Sequence, residues 1–313
     1  MSAREVVVLG TASQAPTRAR NHVSVFIRFD RVGLLVDCGE GTQRQMLLAG
    51  VPSSAVDAVC VTHAHGDHCM GLHGVLARRI LDGVPGPLPL ACPASAVPRL
   101  RLLTDFALAG GGPELQWRPA SEDGPDVVLR GEGWRVETRP LSHRVPAVGY
   151  VLVEDDGRRM LPDRLAAAGV SGPDVARLQR GEAVGGVPPE DVSEPRPGQR
   201  VAVVMDTALG DGARELARDA DLLVVEATFL DRDADLAVEH RHLTARQAAR
   251  LAREAGVRRV VLVHLSQRYP DLDGHRQEAG EEHDDVVVAR DLDVVPLPAR
   301  RQEGGQRVEP ARR

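Results

Sequence analysis

The chain has 313 residues, of which 42% are hydrophobic and 3% aromatic, and its formal net charge is −6. This size allows one large globular unit or two modest ones, and the acidic balance excludes a generally basic nucleic-acid binder but not a local basic patch. All 39 basic side chains are arginine, so each can bind a phosphate through two N–H groups. No apolar run reaches the roughly 20 residues of a membrane span.

The first part of the chain alternates strand-like and helix-like segments. Strands are predicted at 5–10, 23–29, 33–41 and 57–62, and helices at 42–50, 71–82 and 95–109. The turn-like Asp-Arg-Val-Gly between the second and third strands predicts a hairpin. The segment 83–98 is rich in proline and glycine and is interpreted as a connection.

The second part repeats this alternation. Strands are predicted at 134–143, 148–155, 200–207, 220–229 and 258–266, with helices in "GARELARD" and "TARQAARLAREAG". Alternating strands and helices indicate an α/β fold in layers. The Gly/Pro-rich segment 157–198 is interpreted as an inserted, protruding arm, and residues 299–313 as a disordered tail.

The cysteines and the first residues predict a cytoplasmic protein. Cys38, Cys60, Cys69 and Cys92 form no CxxC pair and are too sparse for a disulfide scaffold, so buried thiols in a reducing compartment are expected. The opening "MSAREVVVLG" starts a strand and has no long apolar segment typical of a signal peptide.

The stretch "CVTHAHGDHCMG" (60–71) contains a dense group of candidate metal ligands directly after a predicted strand. In a tight loop alternate residues can point the same way, so His63 and His65 can reach one ion while Asp67 and His68 turn toward a second. Nitrogen and oxygen donors in this mixture suit Zn²⁺, with Mn²⁺ as an alternative.

Three further candidate ligands stand at the ends of predicted strands, namely His143, Asp206 and His264. Loops at one edge of a sheet are where α/β proteins assemble sites, and two zinc ions that share Asp206 account for all seven residues. Two adjacent divalent ions activate water near pH 7 and neutralise charge that develops on a phosphoryl or carbonyl group. The residues alone therefore predict metal-dependent hydrolysis.

Seven segments in order carry a resemblance to a known family: "VLGTASQAPTRARN" (8–21), "LLVDCGEGTQRQML" (34–47), "THAHGDHCMGLHGVL" (62–76), "SHRVPAVGY" (142–150), "EATF" (226–229), "HLTARQAA" (242–249) and "HLSQRY" (264–269). Over nearly the whole chain to about residue 270 they resemble the ribonuclease Z family of the metallo-β-lactamase superfamily. The resemblance implies a metallo-β-lactamase αββα sandwich over 1–298, with 157–198 as a flexible exosite arm. It also implies an endoribonuclease that removes the 3′ trailer from precursor tRNA, leaving a 3′-hydroxyl on the tRNA and a 5′-phosphate on the trailer.

The resemblance also implies roles for the matching residues. One zinc ion would be held by His63, His65, His143 and Asp206, and the other by Asp67, His68, Asp206 and His264. Asp67 would also accept a proton, and His242 would act as general acid on the leaving ribose oxygen or contact the phosphate. Glu226 would orient His242, and Arg268 would contact a phosphate.

The arm would grip the tRNA elbow through Gly172-Pro173 and the stretch Leu178-Gln179-Arg180-Gly181. Gln179 stands where the family has lysine, and Arg180, with Arg177 and Arg164, could compensate for it. In the family the arm serves the partner subunit, so the resemblance implies a homodimer.

Other positions depart from the family pattern near the site. Met205 replaces a glycine, Ala208-Leu209 replace a basic residue and proline, and Val225 replaces a frequent histidine.

Two functions are alternatives to the endoribonuclease. One is a phosphodiesterase or other ester hydrolase of the same fold acting on a small molecule, which has no need for the arm. The other is a non-catalytic RNA-binding relic, which has no reason to keep seven coordinating residues.

Overall fold

The computed structural model describes residues 3–300, so most of the tail predicted at 299–313 lies outside the described residues. Its strands, in chain order, are β1 Arg4–Gly10, β2 Ala12–Ser13, β3 Ser24–Phe29, β4 Val32–Val36, β5 Ala58–Cys60, β6 Leu88–Pro93, β7 Leu115–Ala120, β8 Asp126–Gly131, β9 Trp134–Leu141, β10 Ala147–Glu154, β11 Gly157–Met160, β12 Ser193–Arg196, β13 Arg200–Val204, β14 Leu222–Glu226, β15 Val260–Val263, β16 Leu265–Ser266, β17 Val286–Val288 and β18 Val294–Pro296.

The α-helices between them are α1 Thr42–Leu48, α2 Gly66–Cys69, α3 Leu72–Leu81, α4 Val97–Leu108, α5 Pro162–Ala167, α6 Pro173–Gln179, α7 Pro189–Val192, α8 Asp211–Ala217, α9 Ala234–His240, α10 Ala245–Glu254 and α11 Asp273–Gly280. The strongest helix signal lies at α10, where Thr244 and Gln247 form a reciprocal capping box. Such a cap satisfies two backbone N–H groups at the start of the helix.

Two 7-stranded sheets form the centre of the molecule, in the orders β18-β1-β3-β4-β5-β6-β7 and β17-β15-β14-β13-β10-β9-β8. One apolar cluster combines residues of both sheets, such as Val6 and Val8 from the first with Val201 and Val203 from the second. Helices α1, α3 and α4 cover the outer face of the first sheet, and α8, α10 and α11 that of the second. The predicted αββα sandwich is therefore confirmed.

The strands are continuous apolar runs because both of their faces are buried. On β1, Val6 and Val8 lie between the sheets while Val7 and Leu9 lie under the helices. Successive side chains of a strand point to opposite faces, so a strand inside a four-layer fold needs apolar residues at every position. This pattern explains why the sequence located these strands.

One edge of the sandwich collects the loops that matter for function. Strands β13, β14 and β15 are parallel, and β9 runs in the same direction because each of β9 and β13 is antiparallel to β10. Strand β5 of the first sheet meets them there: Tyr150 donates its hydroxyl to Val61 O (2.8 Å), and the Val148 N–H donates to Thr62 O (3.0 Å). We call this the site edge.

The prediction of a connection over 83–98 is wrong in part, because Leu88–Pro93 forms β6 inside the first sheet. Leu88, Leu90 and Cys92 are fully buried there. The flanking prolines and glycines obscured a short buried strand whose parallel partners β5 and β7 are distant in sequence.

The segment predicted as an arm leaves the second sheet after β10 and returns before β13, and these two strands pair with each other. Its base is the β11–β12 ribbon, in which Met160 pairs with Ser193. Leu178, Val184 and Val192 form a small cluster separate from the main cores. The segment therefore has packing of its own and is inserted at a point where the sheet continues without it.

Among the residues that the structure describes, no helix combines the length and apolar character required to cross a bilayer.

Candidate metal centre

The seven predicted metal ligands lie together at the site edge, although they come from five places in the chain. They are His63 and His65 after β5, Asp67 and His68 in α2, His143 after β9, Asp206 after β13 and His264 after β15. The parallel directions of these strands bring the loops to one place.

The first group of donor atoms surrounds one oxygen of Asp206. Nε2 of His63 lies 3.6 Å from Asp206 Oδ2, and Nε2 of His143 lies 3.7 Å from the same oxygen. Nδ1 of His65 is 2.9 Å from His63 Nε2 and 3.4 Å from His143 Nε2. A zinc ion about 2.0–2.1 Å from four tetrahedral ligands separates those ligands by roughly 3.4 Å, so this group has the spacing of a coordination sphere.

The second group surrounds the other oxygen of Asp206. Nε2 of His68 and Nε2 of His264 each lie 3.3 Å from Asp206 Oδ1. Asp67 Oδ2 completes the group at 3.6 Å from His68 Nε2 and 3.5 Å from His264 Nε2. The two oxygens of Asp206 thus face different sets of ligands, which suits a carboxylate that bridges two cations.

Asp206 gives a direct test of whether these residues fit metal ions. Its side chain is buried, and Oδ1 accepts no well-formed hydrogen bond from the described residues. A buried carboxylate oxygen without a hydrogen bond is costly unless a cation neutralises it. The donor set therefore fits two divalent ions that share Asp206.

Neighbouring groups fix the orientation of the imidazoles. His68 donates its Nδ1–H to Asp37 Oδ2 (2.7 Å), His264 donates its Nδ1–H to Thr228 Oγ1 (2.9 Å), and His143 donates its Nδ1–H to Arg241 O (3.3 Å). Each bond leaves Nε2 as the free donor atom, as in metal sites with an ordered outer shell.

Asp37 was not among the predicted site residues. It follows β4, is fully buried and also accepts from the backbone N–H of Thr62 (2.7 Å). A buried aspartate at a strand end was the signal available in "LLVDCGEG", but its partner is 31 residues away in the chain.

The environment sets the charge of the ligands. Burial lowers the pKa of His63, and it lowers the pKa of His143 to about 4, so both rings are neutral near pH 7 and able to bind a metal. Burial raises the pKa of Asp206, but the nearby His264 and His68 outweigh burial and hold that pKa well below its ordinary value.

His68 differs from these rings. Burial lowers its pKa, but the carboxylates of Asp206 and Asp37 outweigh burial and raise it above the ordinary value. A metal ion bound to His68 would compete with the proton on that ring. Metal binding there would therefore release a proton.

His242 and Glu226, also predicted, form a pair next to this centre. His242 donates its Nδ1–H to Glu226 Oε1 (2.9 Å), and its Nε2 lies 3.9 Å from Asp206 Oδ2. Burial lowers the pKa of His242, but Glu226 outweighs it and raises that pKa to about 9. The fully buried Glu226 is held by the backbone N–H of Thr207 (2.7 Å) and the hydroxyl of Thr228 (2.6 Å).

A cavity of about 600 Å³ opens over the centre, and its lining includes His65, Asp67, Asp206, His242 and His264. The predicted phosphate contact Arg268 lines it and is exposed. Gln14 and Arg144 line it as well, and neither was a predicted site residue. The backbone N–H of Gln14 donates to Asp67 Oδ2 (2.8 Å).

The predicted arm residues lie apart from this cavity. Gly172 precedes α6 with φ 61°, a conformation that favours glycine, and Pro173 follows as the first helical residue. Arg180 is exposed and pairs with Glu182 at 3.2 Å. Exposed ion pairs of this kind contribute little free energy.

Two of the departures from the family pattern are packing positions. Met205 is fully buried between the sheets, and Val225 is fully buried under the helices of the second sheet. Ala208 donates its N–H to Ser142 O (2.8 Å), beside the turn that carries His143.

Two family models match parts of the chain: one described as Anti-Pycsar protein Apyc1 matches residues 4–101, and the beta-lactamase superfamily domain matches residues 192–265. Among curated relatives, the ribonuclease Z of Streptomyces coelicolor is 52% identical over 96% of this chain and 100% of its own length. The ribonuclease Z of Nocardia farcinica is 51% identical over 96% and 100%.

Solved structures agree on the fold. The short form of human tRNase Z matches with a TM-score of 0.68 and 24% identity, covering 94% of this chain and 100% of that one. A long-form RNase Z from yeast matches with a TM-score of 0.64 and 16% identity over 94% of this chain and 42% of that one.

Proposed function

The chain belongs to the ribonuclease Z family, and we propose that its His/Asp cluster is the two-zinc centre that performs the family's reaction. The chain is an endoribonuclease that removes the 3′ trailer from precursor tRNA and leaves a 3′-hydroxyl on the tRNA and a 5′-phosphate on the trailer. The observation that carries the metal proposal is the division of the Asp206 oxygens between two ligand groups. Zinc suits these nitrogen and oxygen donors best, with Mn²⁺ as the alternative.

The centre supplies one part of the chemistry, because two bound divalent ions activate water and neutralise charge that develops on the phosphoryl group. The protein supplies the rest. Asp67 accepts the proton of the attacking water; burial raises the pKa of this carboxyl, but His264 and His68 outweigh burial and keep it ionised. The backbone N–H of Gln14 holds Asp67 Oδ2 in place.

His242 completes the reaction at the leaving group. When water attacks phosphorus, the bond from phosphorus to the 3′ oxygen breaks and that oxygen needs a proton. The raised pKa of His242 keeps its Nε2 protonated near neutral pH, and Glu226 fixes the ring from the other nitrogen. His242 is therefore the general acid and Glu226 the residue that positions it.

RNA binding uses cations outside the reacting centre. Arg268 contacts a phosphate at the cavity, and the arm at 157–198 contacts the tRNA body through Gly172, Pro173 and Arg180. Folded RNA is recognised through its shape and phosphates, for which arginine side chains and an exposed glycine-rich turn are suitable.

A homodimer also belongs to this proposal. Large apolar side chains are exposed on the outer helices of the first sheet: Leu81 is 78% exposed, Phe106 76%, Leu102 74% and Leu47 66%. Helix α3 packs against both α1 and α4, and exposed apolar side chains on neighbouring helices are typical of protein interfaces. Sedimentation velocity should show a dimer for the wild type and a monomer for the double variant Leu81→Asp/Phe106→Asp, while Val238→Asp on α9 should stay dimeric.

The cytoplasm is the proposed site of action. The four cysteines are free and buried, as expected in a reducing compartment.

The central experiment is cleavage of a precursor tRNA with a short 3′ trailer by the zinc-loaded protein and by Asp67→Ala. The wild type should cut once and leave a 3′-hydroxyl, and Asp67→Ala should lose activity by at least about a thousandfold because the proton acceptor and a metal ligand are both removed. Equal rates for the two proteins would refute the assigned centre.

A second variant tests the arm. Residues 161–192 are replaced by Asn-Gly between the paired Met160 and Ser193, a dipeptide that closes a hairpin. The KM for precursor tRNA should rise about a hundredfold, while hydrolysis of bis(p-nitrophenyl) phosphate persists. If the two substrates are affected equally, or only the small ester is cleaved by the wild type, a small-molecule esterase is the better assignment.

A further inference from the structure

The arginines near the metal centre fall into two kinds. Most are engaged within the fold: Arg241 donates to His143 O (3.0 Å), Arg99 donates to Ala64 O (3.3 Å), and Arg20 donates to Tyr269 O (2.9 Å). These three side chains hold the loops of the site edge to one another.

Arg144 is of the second kind. It is exposed and lines the cavity beside His65 and Asp206. Within residues 3–300 its side chain has no hydrogen bond, ion pair or ring contact. A guanidinium that makes no hydrogen bond or ion pair within the described residues is available to a ligand.

The location of Arg144 restricts what that ligand can be. Arg144 directly follows His143, in the turn between β9 and β10. His143 belongs to the first group of donor atoms, so its position fixes the backbone next to Arg144. The carboxylates of Asp67 and Asp206 line the same cavity. An anion held at Arg144 therefore lies in this cavity, close to the reacting centre.

The turn between β9 and β10 pairs with a segment in which this chain has no basic residue although the family pattern has one. Ser142 pairs with Ala208, and Ala208-Leu209 stand where the family pattern has a basic residue and proline. Arg144 lies two residues along the chain from Ser142, so it puts a positive charge in the turn that pairs with Ala208.

We propose that Arg144 is a substrate-binding residue that holds a phosphodiester of the RNA next to the scissile one, on the His143 side of the cavity. Arg268 serves the His264 side. The guanidinium can donate two parallel N–H bonds to the phosphate oxygens. The assignment rests on the endoribonuclease function stated above and specifies how the RNA strand is held across its centre.

The experiment measures kcat and KM for precursor tRNA at several salt concentrations for the wild type, Arg144→Gln and Arg144→Lys. Arg218→Gln is the matched control, because Arg218 is exposed at the end of α8 and does not line the cavity. Hydrolysis of bis(p-nitrophenyl) phosphate, which has a single phosphodiester, is measured in parallel.

Arg144→Gln should raise the KM for precursor tRNA about tenfold. It should also reduce the slope of log KM against log salt by about 0.7 to 0.9, the value for one lost phosphate contact. Arg144→Lys should recover the slope but only part of the KM, since ammonium keeps the charge without the paired N–H groups. The loss with precursor tRNA should exceed the loss with the small ester at least about fivefold.

Two results would overturn the assignment. If Arg144→Gln matches Arg218→Gln in KM and salt slope, Arg144 does not contact RNA. If the small ester suffers as much as precursor tRNA, Arg144 acts at the reacting phosphate or on the metal ligands. A wild type that fails to cleave precursor tRNA refutes the function itself, which is distinct from either result.

Discussion

The two edges of the sandwich use charge in opposite ways. At the edge remote from the site, Glu154 at the end of β10 binds both Arg4 of β1 (2.8 Å) and Arg300 (2.6 Å), and Arg4 also pairs with Asp30. At the site edge, Asp206 keeps an oxygen without a hydrogen bond from the described residues, and Arg144 and Arg268 line the cavity.

This difference separates stability from function. At the edge remote from the site, oppositely charged side chains pair with each other and connect the first sheet to the second. These charges are therefore not available to bind a ligand. Charges at the site edge are held by burial and by neighbouring hydrogen bonds, and in the proposed function metal ions and phosphate neutralise them. Variants at each edge should therefore change different properties.

The largest effect is expected for Asp206→Asn, which removes one of the two oxygens that the ligand groups share. Activity on precursor tRNA should fall by at least about a thousandfold, and the zinc content should drop from about two ions per chain, measured by elemental mass spectrometry. Asp235→Asn on the exposed surface of α9 is the control. Full zinc content in Asp206→Asn would contradict the bridging role.

Glu226→Gln should lower kcat by about a hundredfold with little change in KM, because the amide no longer keeps His242 protonated. A precursor with sulfur in place of the 3′ oxygen at the scissile bond is the diagnostic substrate, since a thiolate leaves without a proton. The deficit should shrink with this substrate. An undiminished deficit would mean that Glu226 acts through the fold and not through the leaving group.

Asp37→Asn should weaken metal binding by about ten- to a hundredfold, because the outer-shell carboxylate that orients His68 is lost. Titration with a zinc chelator measures this, and excess zinc should restore cleavage. Loss of activity that excess zinc does not restore would show that Asp37 is needed for folding and not for the orientation of a ligand.

The smallest effect on cleavage is expected at the opposite edge. Glu154→Gln should leave kcat and KM unchanged but reduce the free energy of unfolding at pH 7 by about 2 kcal/mol, because Arg4 and Arg300 lose a shared, largely buried carboxylate. Glu239→Gln, an exposed glutamate of α9, is the control, and chemical denaturation provides the measurement.

The pH dependence sharpens this prediction. Burial raises the pKa of Glu154, but hydrogen bonds from Arg300 and Arg4 outweigh it and lower the pKa to about 2. A carboxyl with a lowered pKa stabilises the fold fully above its ordinary pKa, and this contribution is lost as the pH falls toward the folded value. The difference between wild type and Glu154→Gln should therefore be constant above about pH 5 and shrink between 4.5 and 2. If the difference in the free energy of unfolding stays constant down to pH 2, the ion pairs of Glu154 are not its cause.

Much of this protein was determined by local sequence. His63, His65, Asp67 and His68 are neighbours in the chain, so their clustering needed no knowledge of the fold. Strands such as β13, β14 and β15 were predicted because both of their faces are buried, which requires an unbroken apolar run. Their parallel order placed Asp206 and His264 at one edge, and the relatives confirm the family.

Other features were decided only by the tertiary structure. Strand β6 lies among prolines and glycines and is stabilised by partners far along the chain, so its local sequence indicated a connection. Local sequence did not assign a role to Asp37 or Arg144. An aspartate at a strand end becomes a support for His68, and an arginine becomes a cation lining a cavity, only once distant strands bring their loops together. Hydrogen bonds and electrostatic interactions depend on distance in space, and local sequence patterns do not encode that distance.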